Sequence, residues 1–361
     1  MAFYIVVGVI TSLFSYLAFK FYDSHRVIAW TFILFFILFP SIIEGCRDWN
    51  LGSDMLGYGQ AYFYNAQRYN NIIDFIKDLD SKEYAYHLLN YAASRIGAIN
   101  VMMFMAALIK MTLVALTCIH FRRLTIPWLM VFCYMMFFYW YGFSLMRQSI
   151  ALCVSLYSLT FLYDKKYVKF VICALCSYLF HSSGLFTLLI PLVMFMSQNR
   201  KKLVITIIGT IIIYGMASSL FLYIAGSGLF GDQMLDRYSD SGVASAKSNI
   251  LIMIVFMLFA IFYKNKNQTL SLKVLSCSIL GLMTLMLSSL FEVAFRLSFY
   301  FMMPLLVFVP TLIKNNMDAI KRIAGKIAMI VLFLAHYFIS VSHGLADTLP
   351  YHSFILDSLF I

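Results

Sequence analysis

Four basic residues stand at the edges of apolar segments, and their side chains suit recognition of a phosphate ester. Arg147 opens one apolar segment, Arg296 opens another, His181 ends a third and Arg47 follows a fourth. The planar guanidinium of arginine matches phosphate oxygens and keeps its charge in apolar surroundings. Because a charged side chain close to hydrocarbon is costly, these residues are candidates for function.

Helix ends would strengthen such an anion site. Arg147 and Arg296 are each expected in the first turn of a helix, where unpaired N–H groups and the positive end of the helix dipole add to the guanidinium. Two such ends facing each other predict a diphosphate site. Simpler interpretations are pairing of Arg296 with Glu292 on one helix face and snorkelling of Arg147 to the membrane interface.

Carboxylates that precede the apolar segments are the candidates for a general base. Asp54 and Glu83 are two of them, and transfer of a sugar to a hydroxyl group needs a base close to the acceptor. Surface solvation explains these acids equally well. The chain shows no spacing of His, Cys and carboxylates typical of a metal site, so we expect no metal or other cofactor. Gly-rich nucleotide motifs and a GxSxG motif are also missing from the sequence.

Membrane helices must position these residues, because the chain is too apolar for a soluble domain. Hydrophobic residues make up 62% of its 361 positions and charged residues only 12%. About twelve apolar segments approach the length that crosses a bilayer. They are 2–19, 27–43, 98–120, 125–142, 145–163, 167–181, 184–198, 203–224, 249–263, 273–291, 294–313 and 325–343.

The basic residues between the segments predict the orientation. They cluster on alternate turns, and short basic loops stay on the cytoplasmic side during insertion. The formal net charge of +11 therefore indicates topology and contact with anionic membrane lipids, and nucleic acid is not an expected partner. The four basic residues above then share the outer side of the membrane.

The whole chain, 1–361, is predicted to form a single polytopic membrane domain. Its outer regions are a loop over about 44–97, a loop over about 226–248 and a tail over about 344–361. Apolar residues between Asn71 and Asn90 follow helical spacing, which predicts helices lying on the membrane surface. Lys110, inside an apolar segment, is expected to pair with an acid or to line a cavity.

Several short motifs together resemble the EpsG/Wzy-type polysaccharide polymerases of bacterial membranes. They are Arg47 with Gly52-Ser53-Asp54 and Tyr58; Glu83-Tyr84; Met146-Arg147-Gln148-Ser149-Ile150-Ala151; Phe180-His181-Ser182-Ser183; Arg296 in Ala-Phe-Arg-Leu; and Leu349-Pro350-Tyr351. Their order and spacing over most of the chain carry the resemblance. Ser53 departs from the family pattern, which has threonine at this place.

The resemblance implies a glycosyltransferase with an all-α, GT-C-like fold in the bacterial inner membrane. Its substrates would be oligosaccharide repeat units on undecaprenyl diphosphate. The growing glycan would pass from its lipid diphosphate to the non-reducing end of a new lipid-linked unit on the periplasmic side. The product would be O-antigen or capsule, and a chain-length regulator protein is an implied partner.

The resemblance also implies roles for the candidate residues. Those expected to bind the diphosphate are Arg47, Arg147, Gln148 and Arg296. Those expected to act on the acceptor hydroxyl are Glu83, Asp54 and His181. Those that could stack on sugars are Tyr58, Tyr84 and Tyr351, although aromatic residues are also common at membrane interfaces.

Two alternatives use the same features differently. An O-antigen ligase shares the lipid-diphosphate donor but passes the glycan to lipid A-core. A glycan flippase or transporter should carry ionisable groups near the middle of the membrane, usually on broken helices. Lys110 is the clearest residue of that kind.

Overall fold

A computed structural model describes residues 1–79, 81–226, 243–263, 268–286, 288, 292–344 and 347–357. Over these residues the chain forms helices and no strands, which confirms the predicted all-α class. The chain divides into two compact units, residues 1–187 with 329–361 and residues 188–328.

The helices coincide with the predicted apolar segments and add several in the first outer loop. In chain order they are α1 (Ala2–Phe21), α2 (Arg26–Cys46), α3 (Gln60–Gln67), α4 (Ile72–Lys77), α5 (Tyr84–Ile96), α6 (Ile99–Phe121), α7 (Pro127–Tyr134), α8 (Met146–Tyr163), α9 (Tyr167–Phe180), α10 (Ile190–Met196), α11 (Arg200–Gly226), α12 (Val243–Phe262), α13 (Gln268–Met286), α14 (Phe299–Lys314), α15 (Ala319–Ser342) and α16 (Phe354–Asp357). Single π-helical turns at Met55–Gly59 and Met135–Tyr139 precede α3 and extend α7.

Six helical stretches in the described part of the chain are long and apolar enough to cross a membrane. They are α1, α2, α6, α13, α15 and the stretch Phe295–Lys314, which contains α14. The chain is therefore a multi-pass membrane protein. Several other predicted segments form shorter apolar helices, such as Tyr167–Phe180 and Ser182–Met196. The total of about twelve spans and the GT-C-like arrangement stay predictions.

Close helix contacts in the first unit depend on small residues. A Cβ on Gly45 of α2 would lie 2.7 Å from Cβ of Phe104 of α6, so these two helices touch through a glycine. A Cβ on Gly184 would lie 2.3 Å from the carbonyl carbon of Ser177, which shows how tightly the turn after α9 folds back. The Ser177 hydroxyl donates to the Ala151 carbonyl over 2.8 Å and ties α9 to α8.

The first outer region is helical, as predicted, and it is packed on the membrane helices. The Asn71 side chain accepts a hydrogen bond from the Ile73 N–H over 2.9 Å and caps α4. Buried Phe63 of α3 and Tyr86 of α5 belong to one apolar cluster with residues of α6 and α8. The region begins later than expected, because α2 continues through Cys46 and carries Glu44 inside its last turns.

The other two outer regions are described in part. Residues 227–242 of the second lie outside the described residues, and α12 starts at Val243. In the tail, the Asp347 carbonyl accepts a hydrogen bond from the Gly52 N–H over 3.1 Å. The His352 carbonyl accepts one from the Asp48 N–H over 3.0 Å, so the described tail lies on the segment that follows α2.

Candidate active site

Two predicted site residues, distant in sequence, form an ion pair in the first unit. Arg147 is the second residue of α8, and Glu83 is the residue before α5. Nη1 of Arg147 lies 2.5 Å from Oε2 of Glu83. The two side chains are 19% and 10% exposed, so the pair is partly shielded from solvent but still reachable.

A third segment, the turn after α9, completes the surroundings of the Glu83 carboxylate. The Ser182 N–H donates to Oε1 of Glu83 over 3.1 Å, and Nε2 of His181 lies 4.0 Å from the same oxygen. Nδ1 of His181 accepts a hydrogen bond from the Ser183 N–H over 3.2 Å. Nδ1 also lies 2.7 Å from the Ser183 hydroxyl, so Ser183 holds the ring with Nε2 toward the carboxylate.

The guanidinium of Arg147 also rests on an aromatic ring. Its Cζ lies 3.8 Å from the centroid of the Tyr58 ring, close enough for a cation–π interaction. The Tyr58 hydroxyl donates to the Asp54 carboxylate. Burial, and then the charge of Asp54, raise the pKa of Tyr58, so this hydroxyl keeps its proton.

Asp54 joins this aromatic support to the start of α8. Oδ2 of Asp54 accepts a hydrogen bond from the N–H of Met146, the first residue of α8, over 2.9 Å. A carboxylate at this place satisfies a free N–H group and interacts favourably with the helix dipole. Asp54 thus holds the start of α8, and it also holds Tyr58, whose ring contacts the Arg147 guanidinium.

Arg47 is buried and holds the segment that leads to Asp54. It is 0% exposed. Nη1 donates to the Leu51 carbonyl, and Nη2 to the Phe143 carbonyl over 3.4 Å. Gly52 follows with a φ of +98°, where a Cβ would lie 2.5 Å from the Phe143 oxygen. These contacts give Arg47 a positioning role, and its predicted contact with a diphosphate stays a prediction.

The remaining candidates of the first unit lie around this cluster or apart from it. Gln148 follows Arg147 in α8 and is 3% exposed, whereas Tyr84 is 40% exposed at the start of α5. Tyr351 lies against α1 and α2. Its hydroxyl donates to the Ile43 carbonyl over 2.7 Å, and its ring stacks on Phe3 with centroids 4.2 Å apart.

Arg296 belongs to the second unit. It was expected in the first turn of an α-helix, but it lies in a 3₁₀ segment, Glu292–Ser298, that leads into α14. The Ser298 hydroxyl at the end of this segment donates to the Phe295 carbonyl over 2.6 Å. Its role toward a diphosphate stays a prediction.

Two features were not identified from the sequence. His87 lies one helical turn after Glu83 on α5, 3% exposed, with its ring 4.7 Å from that of Tyr62. Burial lowers the pKa of His87, which favours the neutral ring. The acidic partner expected for Lys110 is Glu44, whose two oxygens lie 2.7 and 2.9 Å from Nζ. The sequence feature that could have identified His87 is its i, i+4 spacing to Glu83.

In the described part of the chain, no group of three or more His, Cys, Asp or Glu side chains is arranged to hold a metal ion.

A family model described as the EpsG family matches residues 30–353. This range contains every candidate residue named above, and the match confirms the resemblance read from the motifs. No curated protein and no solved structure matches the chain.

Proposed function

Because the chain belongs to the EpsG family, the family of Wzy-type polysaccharide polymerase-like proteins, we propose that it polymerises oligosaccharide repeat units carried on undecaprenyl diphosphate. The growing glycan moves from its lipid diphosphate to the non-reducing end of a new lipid-linked unit. The reaction takes place at the periplasmic face of a bacterial inner membrane. Its product is O-antigen or capsule polysaccharide.

The observation that carries this proposal is the cluster of Arg147, Glu83 and the Ser182 N–H. It places a guanidinium that can take a diphosphate beside a carboxylate that can take a proton, 2.5 Å apart. Glycosyl transfer from a lipid diphosphate needs both, because negative charge develops on the leaving group while the acceptor hydroxyl loses its proton.

The chemical step follows from these two groups. The acceptor hydroxyl oxygen attacks the anomeric carbon, and a new glycosidic C–O bond forms. The bond between that carbon and the diphosphate oxygen breaks, and its electron pair leaves with undecaprenyl diphosphate. The hydroxyl proton passes to the Glu83 carboxylate, and Arg147 stabilises the charge on the diphosphate. No sugar nucleotide is consumed, because the anomeric carbon is already activated.

The contacts of the other candidates support different roles. Asp54 accepts from the Met146 N–H and from Tyr58, so we assign it to positioning and prefer Glu83 as the base. The Ser182 N–H orients the Glu83 carboxylate, and His181 is kept as the second candidate to act on the acceptor hydroxyl. Gln148 is proposed as a further diphosphate contact, and diphosphate binding by Arg296 stays a prediction.

Transport is less well supported than transfer. The residue that favoured a transporter, Lys110, is 1% exposed and bound to Glu44. An O-antigen ligase would use the same donor chemistry, and no contact within the site favours it over a polymerase.

The test is a gel of surface glycan from the native strain, from a deletion of this gene and from the restored strain. A ladder that collapses to core plus a single repeat on deletion, and returns on restoration, supports the polymerase. Loss of the single-repeat band as well would mean that ligation or flipping had failed, and would overturn the proposal.

A further inference from the structure

The groups that donate hydrogen bonds to the Glu83 carboxylate are also suited to bind a phosphate. Oε2 accepts from the Arg147 guanidinium over 2.5 Å, and Oε1 accepts from the Ser182 N–H over 3.1 Å. Nε2 of His181 is 4.0 Å from Oε1. An arginine fork, a backbone N–H and an imidazole are donors by which proteins hold phosphate oxygens.

The carboxylate does not use all the donors of Arg147. Among the described residues, Nε of Arg147 is buried and makes no hydrogen bond. A carboxylate offers two oxygens, whereas a diphosphate offers more acceptor oxygens and more charge. The diphosphate can therefore replace the carboxylate at Nη1 and also bind the donors that Glu83 leaves unused.

Glu83 is placed where it can move without unfolding a helix. It lies just outside α5, and its N–H is held by the Ser81 hydroxyl over 3.2 Å. The side chain is reached by solvent at 10% of its surface, and rotation of its own dihedral angles is enough to release Arg147.

We propose that Glu83 occupies the diphosphate site in the resting protein and that the lipid diphosphate displaces it. The exchange fixes an order of binding. The donor enters first, takes Arg147 and the Ser182 N–H, and frees the carboxylate to accept the proton of the acceptor hydroxyl. Before the donor binds, each oxygen of Glu83 already accepts a hydrogen bond, one from Arg147 and one from the Ser182 N–H. This inference rests on the proposed function and deepens it.

Equilibrium binding of undecaprenyl diphosphate without glycan to the full-length protein in nanodiscs tests the exchange. Glu83→Gln is expected to bind this lipid roughly tenfold more tightly, because the competing negative charge is gone. Glu83→Asp keeps the charge and should bind more weakly than Glu83→Gln. Arg147→Ala should bind more weakly than the native protein. The matched control is Asp78→Asn, an exposed carboxylate at the end of α4 that accepts from Tyr69 over 2.9 Å.

The outcomes separate this inference from the function on which it rests. If Glu83→Gln binds no more tightly than the native protein while unfolding at the same temperature, Glu83 positions Arg147 rather than competing for it, and the exchange is overturned. Arg147→Ala would still bind weakly in that case, and the proposed function would stand. Native binding by Arg147→Ala would remove the diphosphate from this site, and the exchange would fall with that assignment.

Discussion

Two of the ion pairs in the first unit, Glu44–Lys110 and Glu83–Arg147, lie in different settings. Glu44 and Lys110 are 0% and 1% exposed, and Nζ lies 2.7 and 2.9 Å from the two carboxylate oxygens. Glu83 and Arg147 are 10% and 19% exposed, and the guanidinium contacts one oxygen over 2.5 Å. The first pair joins α2 to α6, whereas the second joins the starts of α5 and α8.

The difference is consistent with a structural role for the buried pair and with the proposed exchange of partners at the exposed one. A lysine ammonium is a compact charge that one carboxylate can satisfy, and Gly142 leaves it little room, since a Cβ there would lie 3.2 Å from Nζ. Arginine presents five donors in a fixed fork, so one carboxylate leaves capacity for a second anion. Exposure and spare donors thus favour the Glu83–Arg147 pair for the proposed site.

Breaking the exposed pair should have the largest effect on activity. Arg147→Ala removes the main cation from the developing charge, and losing one such contact costs about 10²–10³ in rate. We expect the glycan ladder to be abolished while the amount of protein in the membrane is unchanged. A surface-glycan gel together with an immunoblot of the membranes measures both.

Two further variants serve as comparisons for Arg147→Ala. Arg296→Ala is expected to abolish the ladder as well, since Arg296 is predicted to contact the diphosphate. Lys165→Ala, at an exposed residue after α8, should keep the native ladder. A native ladder from either arginine variant would remove that residue from the site.

Breaking the buried pair should act on stability instead. Lys110→Met leaves the Glu44 carboxylate buried without a partner, which costs about 3–5 kcal/mol of the free energy of unfolding. We expect less protein in the membrane and a lower unfolding temperature in detergent. The double variant Glu44→Leu/Lys110→Met should recover both, because apolar replacement of a buried pair is often neutral.

The same double replacement at the exposed pair sharpens the comparison. Glu83→Leu/Arg147→Met is expected to give no glycan ladder, because glycan transfer needs the two charges themselves.

If Lys110→Met alone unfolded at the same temperature as the native protein, the structural role of the buried pair would be overturned.

Sequence reasoning reached the helices and most of the cluster but not the contacts within it. The length of the apolar segments predicted the membrane helices, and helical spacing predicted those of the first outer region. Arg147 and His181 stood out because charges near hydrocarbon are costly, and Glu83 because sugar transfer needs a base. Their pairing depends on how α5, α8 and the turn after α9 pack, which no local pattern encodes. Glu44 was missed as the partner of Lys110 because α2 runs further than its apolar stretch.

Replacing Tyr58, whose ring contacts the Arg147 guanidinium, should have the smallest effect on glycan transfer and tests how the guanidinium is positioned. Tyr58→Phe keeps the ring but loses the hydrogen bond to Asp54, worth about 1 kcal/mol, so transfer should fall a few-fold. Tyr58→Leu also loses the cation–π contact, worth about 0.5–2 kcal/mol, and should fall further. The measurement is the rate of glycan transfer by purified protein. Tyr69→Phe is the matched control, since Tyr69 donates to Asp78 in the same outer region and away from Arg147. Native rates from both Tyr58 variants would show that the salt bridge alone orients Arg147. The Tyr58 ring would then have no part in what distinguishes the two ion pairs.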